Sequence, residues 1–88
     1  MKYEDNKAAR LRDIVEWRIK KMDWYYDMAD KERVSDPETS DMHAKMGDEM
    51  LKQIEAIQEA SLIFGYEFKI VDASLDKGSK MSEVRRVR

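Results

Sequence analysis

Pro37 is the only proline in 88 residues, and it stands between two long stretches that both carry helical periodicity. Proline disfavours helix at the residue before it and suits the first turn of a helix that follows. Val34-Ser35-Asp36-Pro37 therefore predicts a stop and an immediate restart, with Asp36 or Ser35 as N-cap and Glu38 three residues after Ser35.

The stretch before the break predicts one helix over about residues 7–33, with no Gly or Pro inside it. At 100° per residue, Ala8, Leu11, Val15, Ile19, Met22, Tyr26 and Ala29 share a face. Such a helix is roughly 40 Å long at about 1.5 Å per residue. The stretch after it predicts a second helix over about 37–64, ended by Gly65. Its apolar face is Met46, Met50, Ile54, Ile57 and Phe64, with His43 and Ser61 at the same spacing. Two helices of equal length joined by about three residues fold back antiparallel. Symmetry about the loop then pairs Met22 with Met50, Ile19 with Ile54, Val15 with Ile57, Ala8 with Phe64 and Ala29 with His43.

Beyond Gly65 the period changes to two. Tyr66, Phe68 and Ile70 alternate with Glu67 and Lys69, which predicts an extended segment over 66–72. Asp76-Lys77-Gly78-Ser79 is a turn signal. Met81, Val84 and Val87 follow among arginines, a spacing open to a second strand, a short helix or a loose tail. The fold class expected is mainly α. A single domain, 1–88, forms a long two-helix hairpin with a short extended C-terminal element, completed by oligomerisation because one hairpin has only one internal interface.

Composition narrows the function classes. With 42% hydrophobic residues the chain is too apolar to be disordered. A net charge of -2 argues against a highly basic nucleic-acid coat. The absence of cysteine excludes disulfides, zinc knuckles and thiol chemistry and suits the cytoplasm. No apolar stretch approaches the roughly 20 residues of a membrane span, and Met1-Lys2-Tyr3-Glu4-Asp5 is too polar to start a signal peptide. A cytoplasmic protein with no membrane partner is expected. Charge is uneven: residues 1–33 carry a net of +1, residues 34–64 a net of -5 and residues 65–88 a net of +2.

Catalytic and metal motifs are sparse. His43 is the only histidine, so a di-iron bundle with two Glu-x-x-His motifs is not available. It reads as a partly buried residue bonded to Tyr26 or Asp30. Asp30 to Asp41 has the length of a calcium loop, but Val34 occupies a ligand position and Ser35 stands where the sharp turn needs Gly. Lys77-Gly78-Ser79 lacks the earlier glycine and the strand-to-helix context of a phosphate-binding loop. No catalytic residue, cofactor or metal is expected.

Asp13-Ile14-Val15-Glu16 and Glu38-Thr39-Ser40-Asp41 resemble the paired acidic motifs of the all-α nucleotide pyrophosphohydrolases of the MazG type. The resemblance covers eight residues, with Asp13 in place of the family's first Glu. It implies magnesium held between helices. In the hairpin, however, Asp41 lies opposite Asp30, roughly 20 Å along the axis from Glu16. The start of the first helix (Leu11, Arg12, Ile14) is superficially similar to the all-α chorismate mutases, but no third helix is available to complete that site.

Two anomalies remain. Trp17, Trp24 and Met28 lie opposite the core stripe of the first helix, with Ile14 and Tyr25 extending this second face sideways. Such a face needs covering by the chain itself, a second copy or another protein. A strand from 66 to 72, about 23 Å long, has the reach to shelter Ile14 and Trp17 and stops short of Trp24 and Met28. The other anomaly is the basic tail, 77–88, where Lys77, Lys80, Arg85, Arg86 and Arg88 stand against Glu83. Clustered cations suit phosphate contacts, but the tail has no aromatic residue for stacking.

The sequence thus points to a non-enzymatic protein-interaction module that self-associates and binds a partner through Ile14, Trp17, Trp24 and Met28. By analogy alone, small Met-rich helical chains of this type are often accessory or inhibitor proteins of phages and mobile elements. The alternatives are a nucleic-acid-binding accessory protein using the tail and, more weakly, the metal-dependent nucleotide pyrophosphohydrolase.

Overall fold

The computed structural model describes residues 6–72 and 79–87. Two helices of 27 residues each, α1 (Asn6–Glu32) and α2 (Pro37–Ile63), form the antiparallel hairpin. Asp36 is the N-cap of α2 and Pro37 its first residue. The Asp36 side chain accepts a hydrogen bond from the Thr39 backbone N–H at 3.3 Å and one from the Thr39 hydroxyl at 2.7 Å. The hydroxyl bond, then the backbone bond, holds the Asp36 carboxyl below its ordinary range. The cap thus works through Thr39, with no reciprocal bond from a glutamate. At the other end Phe64 is the C-cap, and Gly65 takes a φ of 88°, a conformation that L side chains resist.

Four short strands follow: β1 (Tyr66–Glu67), β2 (Ile70–Asp72), β3 (Ser79–Met81) and β4 (Arg85–Arg86). β1 pairs antiparallel with β4, and β2 pairs antiparallel with β3. The segment after residue 78, left open by its sequence, is therefore a returning strand. Its threefold apolar spacing has a specific cause. Between the pairs Glu67–Arg85 and Ile70–Met81, two residues of the outgoing chain face three of the returning chain. This is a bulge in which Phe68 opposes Glu83 and Val84. It shifts the alternation by one residue, so Val84 turns inward and is buried while Glu83 turns out. Ser82 keeps the ladder satisfied there. Its N–H donates to the Lys69 carbonyl at 2.8 Å, and its Oγ accepts from the Lys69 N–H at 2.7 Å. The Ser82 carbonyl accepts instead from Arg12 Nη2 on α1, at 3.2 Å.

The strands are built into the core. Val15, Ile19, Met22 and Ile54 from the helices are buried with Tyr66, Phe68 and Val84 from the strand segments. Polar clamps fix this second layer. The Ser79 N–H donates to Asp23 Oδ2 at 2.8 Å, and Gln58 Nε2 donates to the Phe68 carbonyl at 3.2 Å.

The loop half of the hairpin is built differently. Gly47 of α2 is buried beneath the Tyr26 ring, where a Cβ would meet ring carbons at 2.6 and 2.8 Å. Tyr26 Oη donates to Asp48 Oδ1 at 2.6 Å. Partial burial, then that carboxylate, pushes the Tyr26 phenol up to about 12. Ser40 Oγ donates to the Ala29 carbonyl, and His43 Nδ1 meets Glu32 Oε1, both at 2.5 Å.

Three expectations are corrected. Phe64 does not cover Ala8; it lies past the last helical residue and is 78% exposed. His43 bonds Glu32 and neither Tyr26 nor Asp30, because it sits beside α1 at the level of its last turn. Met46, placed in the core by its spacing, is exposed, and the half-buried Leu51 packs against the core instead.

Candidate protein-binding face

The strands occupy one side of the hairpin. They run along α1 at Glu16, Ile19, Lys20 and Asp23 and along α2 at Glu55, Gln58, Glu59 and Leu62. Trp17 is about 120–140° around α1 from Asp23 and Arg12, and Gln53 is about 140° around α2 from Gln58. These two opposite sides adjoin each other, since Arg18 Nε donates to Gln53 Oε1 at 3.0 Å between the helices. The hairpin therefore has a second broad face, made by both helices and clear of the strands except at its open end, where Tyr66 and Arg86 stand beside Ile57, Ala60 and Phe64.

Ile14, Trp17, Trp24 and Met28 fall on this face. Trp17 is 53% exposed and Trp24 50%, while Met28 is partly buried. Arg18 stands over the Trp17 ring at 5.3 Å from its centroid and also donates to the Ile14 carbonyl at 3.0 Å. Lys21 stands 6.0 Å from the Trp24 centroid. Both indoles are thus flanked by cations.

The strands do not separate the two tryptophans as expected, since both are about half exposed. The strands pass on the other side of α1, so Ile14 and Trp17 receive no shelter from them. Trp24 instead meets Tyr25 edge-on at 5.3 Å and His43 edge-on at 5.7 Å, and Tyr25 stacks on His43 at 6.1 Å. One edge of Trp24 is structural; Trp17 projects.

Sequence reasoning missed the contribution of α2. Met42, Met46 and Phe64 are exposed along the strand-free side of that helix. The signal was present: Met42, Met46, Gln53, Ile57, Ala60 and Phe64 form a stripe rotated about 60–120° from Ile54. It is a second apolar stripe, not a continuation of the core.

In comparisons with known proteins, no family model, curated protein or solved structure matches this chain. The geometry alone carries the functional reading.

The other candidate residues are dispersed. Lys77 and Arg88 lie outside the described residues. Lys80 is on β3, while Arg85 and Arg86 form β4, opposite Glu67 and Tyr66. Arg86 stands over the Tyr66 ring at 5.9 Å. The acids of the MazG-like motifs do not meet. Glu16 pairs with Arg12 at 2.9 Å and Asp41 with Lys45 at 3.3 Å, each within its own helix. Among the described residues, no group of three or more His, Cys, Asp or Glu side chains is placed to hold a metal ion. No helix among them is long and apolar enough to cross a membrane.

Proposed function

We propose that this protein is a non-enzymatic binding module whose contact surface is the strand-free face of the hairpin. The observation that carries this reading is Trp17, half exposed on a rigid helix and flanked by Arg18, with Ile14 beside it. Tryptophan and arginine are the residues most enriched at the centres of protein interfaces. Met28, Met42 and Met46 add side chains that adapt to a partner's shape. The face also lies outside the buried core, which closes between the helices and the strands.

The nucleic-acid alternative has less support. Arg86 is engaged with Tyr66, and Arg85 stands across from Glu67. The hydrolase alternative has least, since its acids are paired within separate helices.

The test is affinity capture with the intact chain, a Trp17→Ala/Met46→Ala variant and a Lys80→Ala variant on the strand side. Partner retention should be lost in the double variant and kept in Lys80→Ala. Retention that ignores the double variant, or magnesium-dependent nucleotide turnover by purified protein, overturns the reading.

A further inference from the structure

We infer that the strand-free face pairs with the same face of a second copy, with α1 of each copy lying on α2 of the other; this rests on that face being the binding surface. Area is the first argument. A hairpin roughly 40 Å long and two helices, about 20 Å, wide offers a face of about 800 Å². That is about the area each partner contributes to a stable interface. The apolar side chains are spread over both helices of the face, as a four-helix core requires.

Charge selects the arrangement. Within about 60° of Trp17 and away from the strands, α1 carries Arg10, Lys21 and Lys31 against Asp13 and Glu32; Lys31 is already paired with Asp27 and Glu32 with His43. Within the same arc around Gln53, α2 carries Glu38 and Glu49 and no cation. One half of the face is basic and the other acidic. Two twofold axes in the plane of contact are possible for such a slab. An axis across the helices lays α1 on α1 and α2 on α2, setting cations against cations. An axis along the helices lays α1 on α2, and the basic half of one copy then faces the acidic half of the other. Only the second arrangement is self-complementary.

That axis also fixes the levels. Within one copy, Arg18 is level with Gln53 and Tyr26 with Asp48. An axis parallel to the helices preserves these levels between copies. Lys21 of one copy then comes within about one turn of Glu49 in the other, twice per dimer by symmetry. Both side chains are exposed in the single chain.

The experiment is sedimentation equilibrium across a dilution series. The intact chain should show twice the 10.5 kDa mass. Lys21→Glu and Glu49→Lys should each weaken self-association roughly tenfold, through two contacts per dimer. The Lys21→Glu/Glu49→Lys double variant should restore it to within about twofold. Helical circular dichroism checks that each variant folds. A 10.5 kDa monomer at every concentration overturns the pairing, while loss of partner capture in the Trp17→Ala/Met46→Ala variant would leave the binding-face reading intact. A dimer indifferent to all three charge variants overturns the α1-on-α2 arrangement.

Discussion

The two halves of the hairpin share the same helices but are held by different forces. In the strand-backed half, Val15, Ile19 and Ile54 are buried against Phe68 and Val84, and apolar area removed from water supplies the stability. In the loop half, beyond the level of Met22, only Ala29 and Gly47 are buried. There the helices are joined by oriented polar and ring contacts: Tyr26 with Asp48, Ser40 with the Ala29 carbonyl, and His43 with Glu32 and two aromatic rings. Burial tolerates small shifts and punishes cavities. Directed contacts contribute less each and depend on pH and geometry.

The largest expected effect lies in the first half. Phe68→Ala should cost about 3–5 kcal/mol and Ile54→Ala about 2–5 kcal/mol in denaturant unfolding. A loss from Phe68→Ala below about 1 kcal/mol would mean that the strand layer is an appendage, and the contrast between the halves would fail.

The second test concerns the seat of Tyr26. Gly47→Ala gains about 1 kcal/mol in helix propensity but forces a methyl group into the Tyr26 ring, which costs about 1–3 kcal/mol. The net should be destabilising in the intact chain. In a Tyr26→Ala background the same substitution should stabilise by about 1 kcal/mol, so the sign itself reports the contact.

The tryptophans sharpen the comparison further. Trp24→Ala removes ring contacts with Tyr25 and His43 and should lower stability by about 1 kcal/mol. Trp17→Ala should change the stability of the single chain by less than about 0.5 kcal/mol, and it should weaken association. Equal losses of stability from both would make the projecting tryptophan ordinary core.

The smallest effect is a titration. Tyr26 stays protonated to about pH 12 in the folded chain, whereas its ordinary pKa is 10.0. Its raised pKa contributes stability that is full below pH 10.0 and lost as pH rises towards about 12. Tyrosinate absorbance should include a late step from Tyr26, and Tyr26→Phe should remove both that step and its share of the alkaline destabilisation.

How far the chain reveals itself in sequence follows the same division. The hairpin was legible because Pro37, Gly65 and the apolar spacing of Val15, Ile19, Met22 and Ile54 act locally and agree with one another. Tyr66, Phe68 and Ile70 were legible as an extended segment for the same reason. Val84 was not, because a bulge converts a strand into an apolar spacing of three, and only its pairing partner reveals the shift. At the candidate face, Trp17 and Trp24 stood out as large rings on the wrong side of a helix. Met42 and Met46 did not, because methionine on an amphipathic helix looks like core until the partner helix is placed. The shelter expected for Trp17 failed on a matter of side, because wheel angles cannot say which flank of α1 the strands take.

The bulge at Glu83 and Val84 bears on how this chain tolerates changes of length. Losing or gaining one residue within a strand ordinarily turns everything beyond it inside out. Here the correction already exists, and it runs the other way. Removing Glu83 would bring Ser82, Val84, Arg85 and Arg86 into an unbroken ladder, with Val84 still facing inward and Arg86 still beside Tyr66. Removing Lys80, three positions earlier, would reverse the exposure of the residues that precede it. One position on this strand is therefore spare in length while its neighbours are not. Descendants of this sequence that differ by a single residue in the segment should differ there.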